Sequence, residues 1–250
     1  MDLHRFRFFS LLLVIVLLNI SASSQTSKDL LLKANLKHEQ KDFQGAIEVL
    51  NQVLELDPVN KFAFIYRGDS KVELGDVEGA VSDYTKALEL DSRFAIAFFY
   101  RANAQQKQLN YQGAISDYNE LVKIAPQFAM AYNNRGQAKL NIKDFKGAIT
   151  DFNRALEIDD NFVMAYVNRG KARVDVYDLQ GAVVDLNQAI LIDPNNADAY
   201  YYRGLSKILQ GLKKNGCIDL DKAIELGKVE TQFLKKEFCK ENAPATKRRR

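Results

Sequence analysis

Gly45-Ala46-Ile47 returns as Gly79-Ala80-Val81, Gly113-Ala114-Ile115, Gly147-Ala148-Ile149 and Gly181-Ala182-Val183, each time 34 residues later, and Asn215-Gly216-Cys217 is a degenerate sixth copy. A fixed period of this length commits the chain to a repeat architecture, because one short unit hides its apolar side only against the next. An aromatic stands at Phe64, Phe98, Tyr132, Tyr166 and Tyr200, with a small residue four positions on at Gly68, Ala102, Gly136, Gly170 and Gly204. Ala87, Ala155, Ala189 and Ala223 follow, with Leu121 in the third copy, and Pro58, Pro126 and Pro194 close copies one, three and five.

Within a copy the apolar residues keep helical spacing over 61–74, Gly75-Asp76 interrupts them, and the helical period resumes over 78–90. Each copy therefore reads as an antiparallel helix pair. The small residues at 68 and 80 let the two helices approach, so a bulky side chain at Gly136 or Ala148 is expected to overpack the seam by about 1–3 kcal/mol.

The order aromatic, small, small, aromatic, Ala, Pro at a 34-residue period resembles the tetratricopeptide repeat (TPR) family over residues 27–230. The resemblance implies an all-α, right-handed α-solenoid of antiparallel helix pairs. Its repeats fall at 27–60, 61–94, 95–128, 129–162, 163–196 and 197–228, followed by a capping helix at 229–241 and a basic tail at 242–250. It also implies a non-catalytic scaffold that holds a peptide or protein segment in a concave groove lined by the first helix of each repeat.

The seam departs from the TPR pattern. Where the family usually has Leu and Tyr, this chain has Arg67, Arg101, Arg135, Arg169 and Arg203 in one slot and Asp83, Asp117, Asp151, Asp185 and Asp219 in the other. In copy one both substitutions fail together, at Lys33 and Val49. Arg67 and Asp83 are equally far from Gly75, about 12 Å from the bend at ~1.5 Å per residue, so they stand level. A planar guanidinium holds a carboxylate through two hydrogen bonds, and a ladder of ion pairs fixing repeat register is expected. Spacing leaves Arg101 of the following repeat as an alternative partner for Asp83.

Residues that break the repetition on the first helices are the binding candidates. They are Phe62, Ile65, Tyr66, Phe99, Tyr100 and Asn103, then Asn133, Asn134, Gln137 and Asn168, then Tyr201, Tyr202 and Leu205. Amides can follow an extended backbone while aromatic platforms take side chains. The competing reading has the tyrosines packed on the next helix and the asparagines merely solvated. The carboxylate clamp of chaperone-binding TPR proteins is incomplete here. Asn103 and Asn134 match its amide pair, but Phe99, Met164 and Asn168 occupy the slots that need cations.

Residues 1–24 read as a secretory signal: Arg5 and Arg7 precede an apolar stretch, Phe8 to Ile20, and Ser21-Ala22-Ser23-Ser24 offers small residues for cleavage. That stretch is shorter than the ~20 residues of a membrane-spanning helix. Membrane contact is expected only if the signal is kept or through the tail. Excision takes two basic and one acidic residue from the chain's 35 and 32 and leaves a net charge of +2. Lys247-Arg248-Arg249-Arg250 accounts for more than that, so the body is slightly acidic and no nucleic acid is expected. A nucleic-acid-binding helical repeat of the pentatricopeptide kind, and self-assembly through the ends, are the alternatives. Cys217 and Cys239 are level about the bend near Lys228, which makes a disulfide clip plausible in an exported chain, with free thiols the other option. The sequence has no HExxH, GxSxG or GxxxxGK[ST], and the mature chain's one histidine, His38, lies in the least regular repeat. No catalytic residue, metal or cofactor is expected.

Overall fold

The structure, a computed structural model, describes residues 26–239. The expected signal at 1–24 and the tail at 242–250 lie outside the described residues, as does the end of the expected cap. Every regular element among the described residues is an α-helix. The described residues divide into two compact units at Ile124/Ala125.

The first unit contains α1, helical over 26–39, α2 (Phe43–Leu56), α3 (Lys61–Glu73), α4 (Val77–Leu90), α5 (Ala95–Lys107) and α6 (Tyr111–Ile124). Helix α3 packs on α4 and α5 on α6, and α2–α3, α4–α5 and α3–α5 contacts join successive pairs. Each core cluster spans a repeat boundary. One joins Ala34 of α1, Leu50 and Val53 of α2 and Ala63 of α3; another joins Ile65 of α3, Tyr84 and Ala87 of α4 and Ala97 of α5. The apolar area is thus hidden between neighbours, and ~25 cal/mol per Å² of it stabilises the stack only while the neighbour is present.

The second unit contains α7 (Ala129–Asn141), α8 (Phe145–Ile158), α9 (Val163–Asp175), α10 (Leu179–Ile192), α11 (Ala197–Leu209), α12 (Lys213–Glu225) and α13 (Thr231–Phe238). Pairs α7–α8, α9–α10 and α11–α12 are joined by α8–α9 and α10–α11, and α13 rests on α12. The cluster of Val167, Leu186, Ala189 and Ala199 again crosses a repeat boundary.

The turns explain the recurring triplet. The chain enters the turn inside a repeat with one left-handed residue: Lys41, Gly75, Leu109, Lys143, Tyr177 and Gly211, at φ between 61° and 85°. The next residue but none is the helix N-cap, and the carboxylates of Asp42, Asp76, Asp144 and Asp178 accept from the N–H groups of Gly45, Gly79, Gly147 and Gly181 at 2.9–3.0 Å. A Cβ on Gly79 would lie 2.1 Å from the Asp76 carboxylate, so this position is glycine to admit the cap. At Gly68, Gly136 and Gly170 an added Cβ would instead strike Tyr84, Phe152 and Leu186, whereas Gly204 faces the Gly216 carbonyl. Backbone against backbone is therefore the contact in copy six; elsewhere the glycine makes room for a large side chain.

The expected cap is corrected in part. An amphipathic cap over 229–241 would turn Val229, Phe233 and Phe238 to copy six, but Val229 is 62% and Phe233 72% exposed. Residues 229–230 form the turn, so α13 starts two residues late and presents Thr231, which is buried, to α12. Cys217 and Cys239 are joined by a disulfide with Cα atoms 5.8 Å apart, tying the end of α13 to α12.

Candidate functional site

The seam is built first. In each of five repeats the first-helix arginine grips the aspartate of its own second helix through Nε and Nη2: Arg67–Asp83, Arg101–Asp117, Arg135–Asp151, Arg169–Asp185 and Arg203–Asp219, at 2.5–2.9 Å. The carboxylates are almost wholly buried. The third guanidinium nitrogen reaches the preceding repeat's second helix, from Arg67 to Asn51, Arg101 to Thr85, Arg169 to Asn153 and Arg203 to Asn187. One arginine thus pins three helices, and its guanidinium also lies 5.2–5.9 Å from the aromatic three residues earlier.

A second cation shares four of these carboxylates: Lys71, Lys139, Arg173 and Lys207 lie 2.7–2.8 Å from Asp83, Asp151, Asp185 and Asp219. It stands one helical turn after the arginine and was legible at the same 34-residue period. In the third repeat that slot holds Gln105, whose side-chain oxygen is buried without a hydrogen-bond partner. The carboxylates point inward, whereas Asn51, Asn153 and Asn187 at the other end of the ladder are exposed.

The first-helix face of the first unit is mixed. Phe62 and Tyr66 are 46% and 42% exposed, with Phe62 edge-on to Phe94 at 5.2 Å between ring centres. Phe99 and Tyr100 are half-buried, Tyr100 stacked on buried Tyr84 at 5.7 Å. Asn103 accepts from the Tyr118 hydroxyl, which also accepts from Gln106. Ile65 is a correction: it is buried in the core, because its place on α3 faces α4.

In the second unit Asn133 is the corresponding correction, fully buried rather than lining an open face. Its amide donates to Asn134 and its carbonyl accepts from Asn168 at 3.0 Å, so the three amides largely satisfy one another. Gln137 is exposed and Leu205 half-buried. Tyr201 and Tyr202 meet edge-on at 4.9 Å, with the Lys228 ammonium 5.0 Å from the Tyr201 ring. Burial, assisted by the Asp198 charge, pushes the Tyr202 hydroxyl up to about 12.

One pocket in the first unit was not foreseen. A cavity of about 200 Å³ opens between α1, α3 and α5, floored by Leu50 and Ile65 and walled by Tyr66 and Tyr100, with His38 and Asp69 at its polar side. Ser70 donates to the Tyr66 carbonyl and so accepts from Nδ1 of His38 at 3.0 Å. Nε2 of that ring then faces Asp69 at 3.5 Å. Burial, the dominant influence, holds the Asp69 carboxyl above the usual carboxylate range despite the opposing effect of His38. The Tyr84 hydroxyl is buried without a partner, and burial, with the Asp69 charge next, raises its pKa strongly. Asp69 was findable: it occupies the same slot in its repeat as Asn103, Gln137 and Leu205, one residue after the small position.

Among the described residues no group of three or more His, Cys, Asp or Glu side chains is placed to hold a metal ion, and no helix is long and apolar enough to cross a membrane.

Stacked antiparallel helix pairs, inward ion pairs and irregular first-helix faces define a helical-repeat protein of the interaction-scaffold class. Tetratricopeptide repeat models match residues 30–60, 96–127 and 129–162, and a TPR repeat model matches 68–108 and 178–211. These matches together span more than half of the chain, which belongs to the tetratricopeptide repeat proteins. Solved structures agree on the fold. PilF of Pseudomonas aeruginosa is similar at 17% identity with a TM-score of 0.74, over 86% of this chain and 99% of that one. A tetratricopeptide repeat protein from Parabacteroides merdae is 20% identical with a TM-score of 0.63, covering 86% and 100%. YrrB, described as a TPR protein with an unusual peptide-binding site, is 22% identical with a TM-score of 0.63, covering 76% and 99%. No curated protein matched the sequence.

Proposed function

We propose that the first-helix faces bind an extended segment of a protein partner outside the cytoplasm, with the rest of the chain serving as rigid support. The observation that carries this reading is the exposure of Phe62 and Tyr66 on a helix whose other face is closed by core and ion pairs. In the first unit the exposed rings of Phe62 and Tyr66 supply anchors for a peptide, and in the second unit the exposed amide of Gln137 supplies a hydrogen-bond partner. The peptide-binding site ascribed to YrrB supports the same use of a similar fold. The bonded Cys217–Cys239 pair and the apolar leader at 1–24 support an oxidising compartment reached by export.

The test is chemical crosslinking in intact cells followed by capture of the full chain from the envelope fraction, wild type against a Phe62→Ala/Gln137→Ala double variant. Loss of a specific crosslinked partner in the variant at equal protein level is expected; identical recovery would show that these faces do not bind. Protease added outside the inner membrane should degrade the chain, and protection until lysis would place it in the cytoplasm.

A further inference from the structure

We infer that the pocket between His38, Tyr66, Asp69 and Tyr100 is a recognition site for a cationic side chain, a lysine or arginine of the bound segment. The inference deepens the proposed function, and its biological guest rests on that reading; the chemistry of the pocket does not.

Three features select a cation. The first is charge. Asp69 is a carboxylate at the cavity wall, its side chain one-third exposed, with no cation nearer than the His38 ring at 3.5 Å among the ion pairs it makes. Ser70 sends its proton to the Tyr66 carbonyl and meets Nδ1 of His38, leaving Nε2 on the side of Asp69. The seam carboxylates each hold an arginine at hydrogen-bond distance, whereas Asp69 has a histidine nitrogen at 3.5 Å. An ammonium entering the cavity would bring N–H donors to the Asp69 carboxylate at full hydrogen-bond distance.

The second feature is the aromatic wall. Tyr66 and Tyr100 line the cavity, and the electron-rich face of a tyrosine attracts a cation that a carboxylate has brought near. The third is the floor of Leu50 and Ile65, which suits the methylene stem of a lysine. An anionic guest would meet Asp69 directly. A neutral aliphatic guest would leave the carboxylate desolvated and unpaired, which is unfavourable. The cavity's about 200 Å³ is enough for one such side chain and too small for a folded ligand.

The probe is n-butylammonium, the end of a lysine side chain, titrated into the ¹⁵N-labelled full chain at constant ionic strength, with n-butanol and butyrate as arms of equal size and different charge. The amide resonances of residues 66, 69 and 100 are expected to shift and saturate with butylammonium. Binding of n-butanol should be weaker by about tenfold or more, and butyrate should leave the resonances unmoved. Asp69→Asn, which keeps shape and removes charge, should abolish the butylammonium response, Tyr66→Ala should weaken it by about tenfold, and Phe233→Ala, an exposed position on α13, should leave it unchanged. Equal responses to butanol and butylammonium, or an undiminished response in Asp69→Asn, would overturn the inference. If butylammonium saturates the site while Phe62→Ala/Gln137→Ala retains every crosslinked partner, the pocket stands and the proposed binding face falls. If crosslinking is lost in that variant while butylammonium fails to bind, the reverse holds.

Discussion

Asp151 is shared by Arg135 and Lys139 inside the protein, so its removal strands two positive charges at once. Asp151→Ala is expected to lower unfolding free energy by ~3–5 kcal/mol, the range for breaking one side of a buried pair. Asp117 holds Arg101, and Gln105 stands where the other repeats have a second cation, so Asp117→Ala should cost less than Asp151→Ala. Urea titration of both variants gives the comparison, and equal losses would mean that the second cation contributes nothing. Gln105→Lys should raise stability by ~1 kcal/mol, since it removes an orphaned buried acceptor and completes the pattern of the other four repeats. Asp69 runs the other way. Burial raises its carboxyl pKa, so protonation is easier in the folded state. Its stabilising contribution is therefore full at low pH and lost as pH rises through the raised value. Asp69→Asn should melt above wild type at neutral pH, with the gap closing on acidification below the ordinary carboxylate range; a lower melting point at neutral pH would show that the carboxylate stabilises the fold through His38.

At the scale of the helix pair, the left-handed turn residue is the informative position. Gly75 and Gly211 take it freely, whereas Leu109, Lys143 and Tyr177 hold a side chain in a conformation disfavoured by about 1–2 kcal/mol. Leu109→Gly should therefore stabilise by ~0.5–1 kcal/mol after the entropy of the unfolded glycine is counted. The helix pair itself was legible, because Gly75-Asp76 and the 34-residue period mark both turn and cap. Where the turn holds Leu109 or Tyr177, only the period reveals it. The seam was legible as level charges, but spacing left Arg101 open as a partner for Asp83. The choice of Arg67 depends on side-chain reach, which periodicity does not carry. The open face was less legible. Ile65 and Asn133 break the repetition just as Tyr66 and Asn134 do, yet both are buried, Ile65 in the core with Tyr84 and Ala97 and Asn133 against Asn168 of the next first helix. His38 and Asp69 are 31 positions apart in sequence and meet through packing of α1 on α3, so no local pattern announces their pocket.

At the scale of the molecule, stability is the sum of repeat interfaces, and the ends are its weakest members. Helix α13 buries little beyond Thr231, leaves Phe233 in solvent and meets α12 through an exposed Lys235–Asp221 ion pair, so its attachment leans on Cys217–Cys239. A bond closing a loop of this size is worth ~2–4 kcal/mol. Cys217→Ser/Cys239→Ser should accelerate amide exchange in α12 and α13 while leaving the first unit unchanged. The proposal amounts to a division of labour: residues repeated identically hold the stack, and exposed residues that interrupt the repetition on the first helices bind. The measurement that separates the two compares crosslinked partner per folded molecule in Asp151→Ala and in Phe62→Ala/Gln137→Ala. The aspartate variant should unfold more readily yet bind as wild type while folded, and the double variant should keep its melting temperature and lose the partner. Undiminished capture by the double variant, or lost capture by folded Asp151→Ala, would refute it.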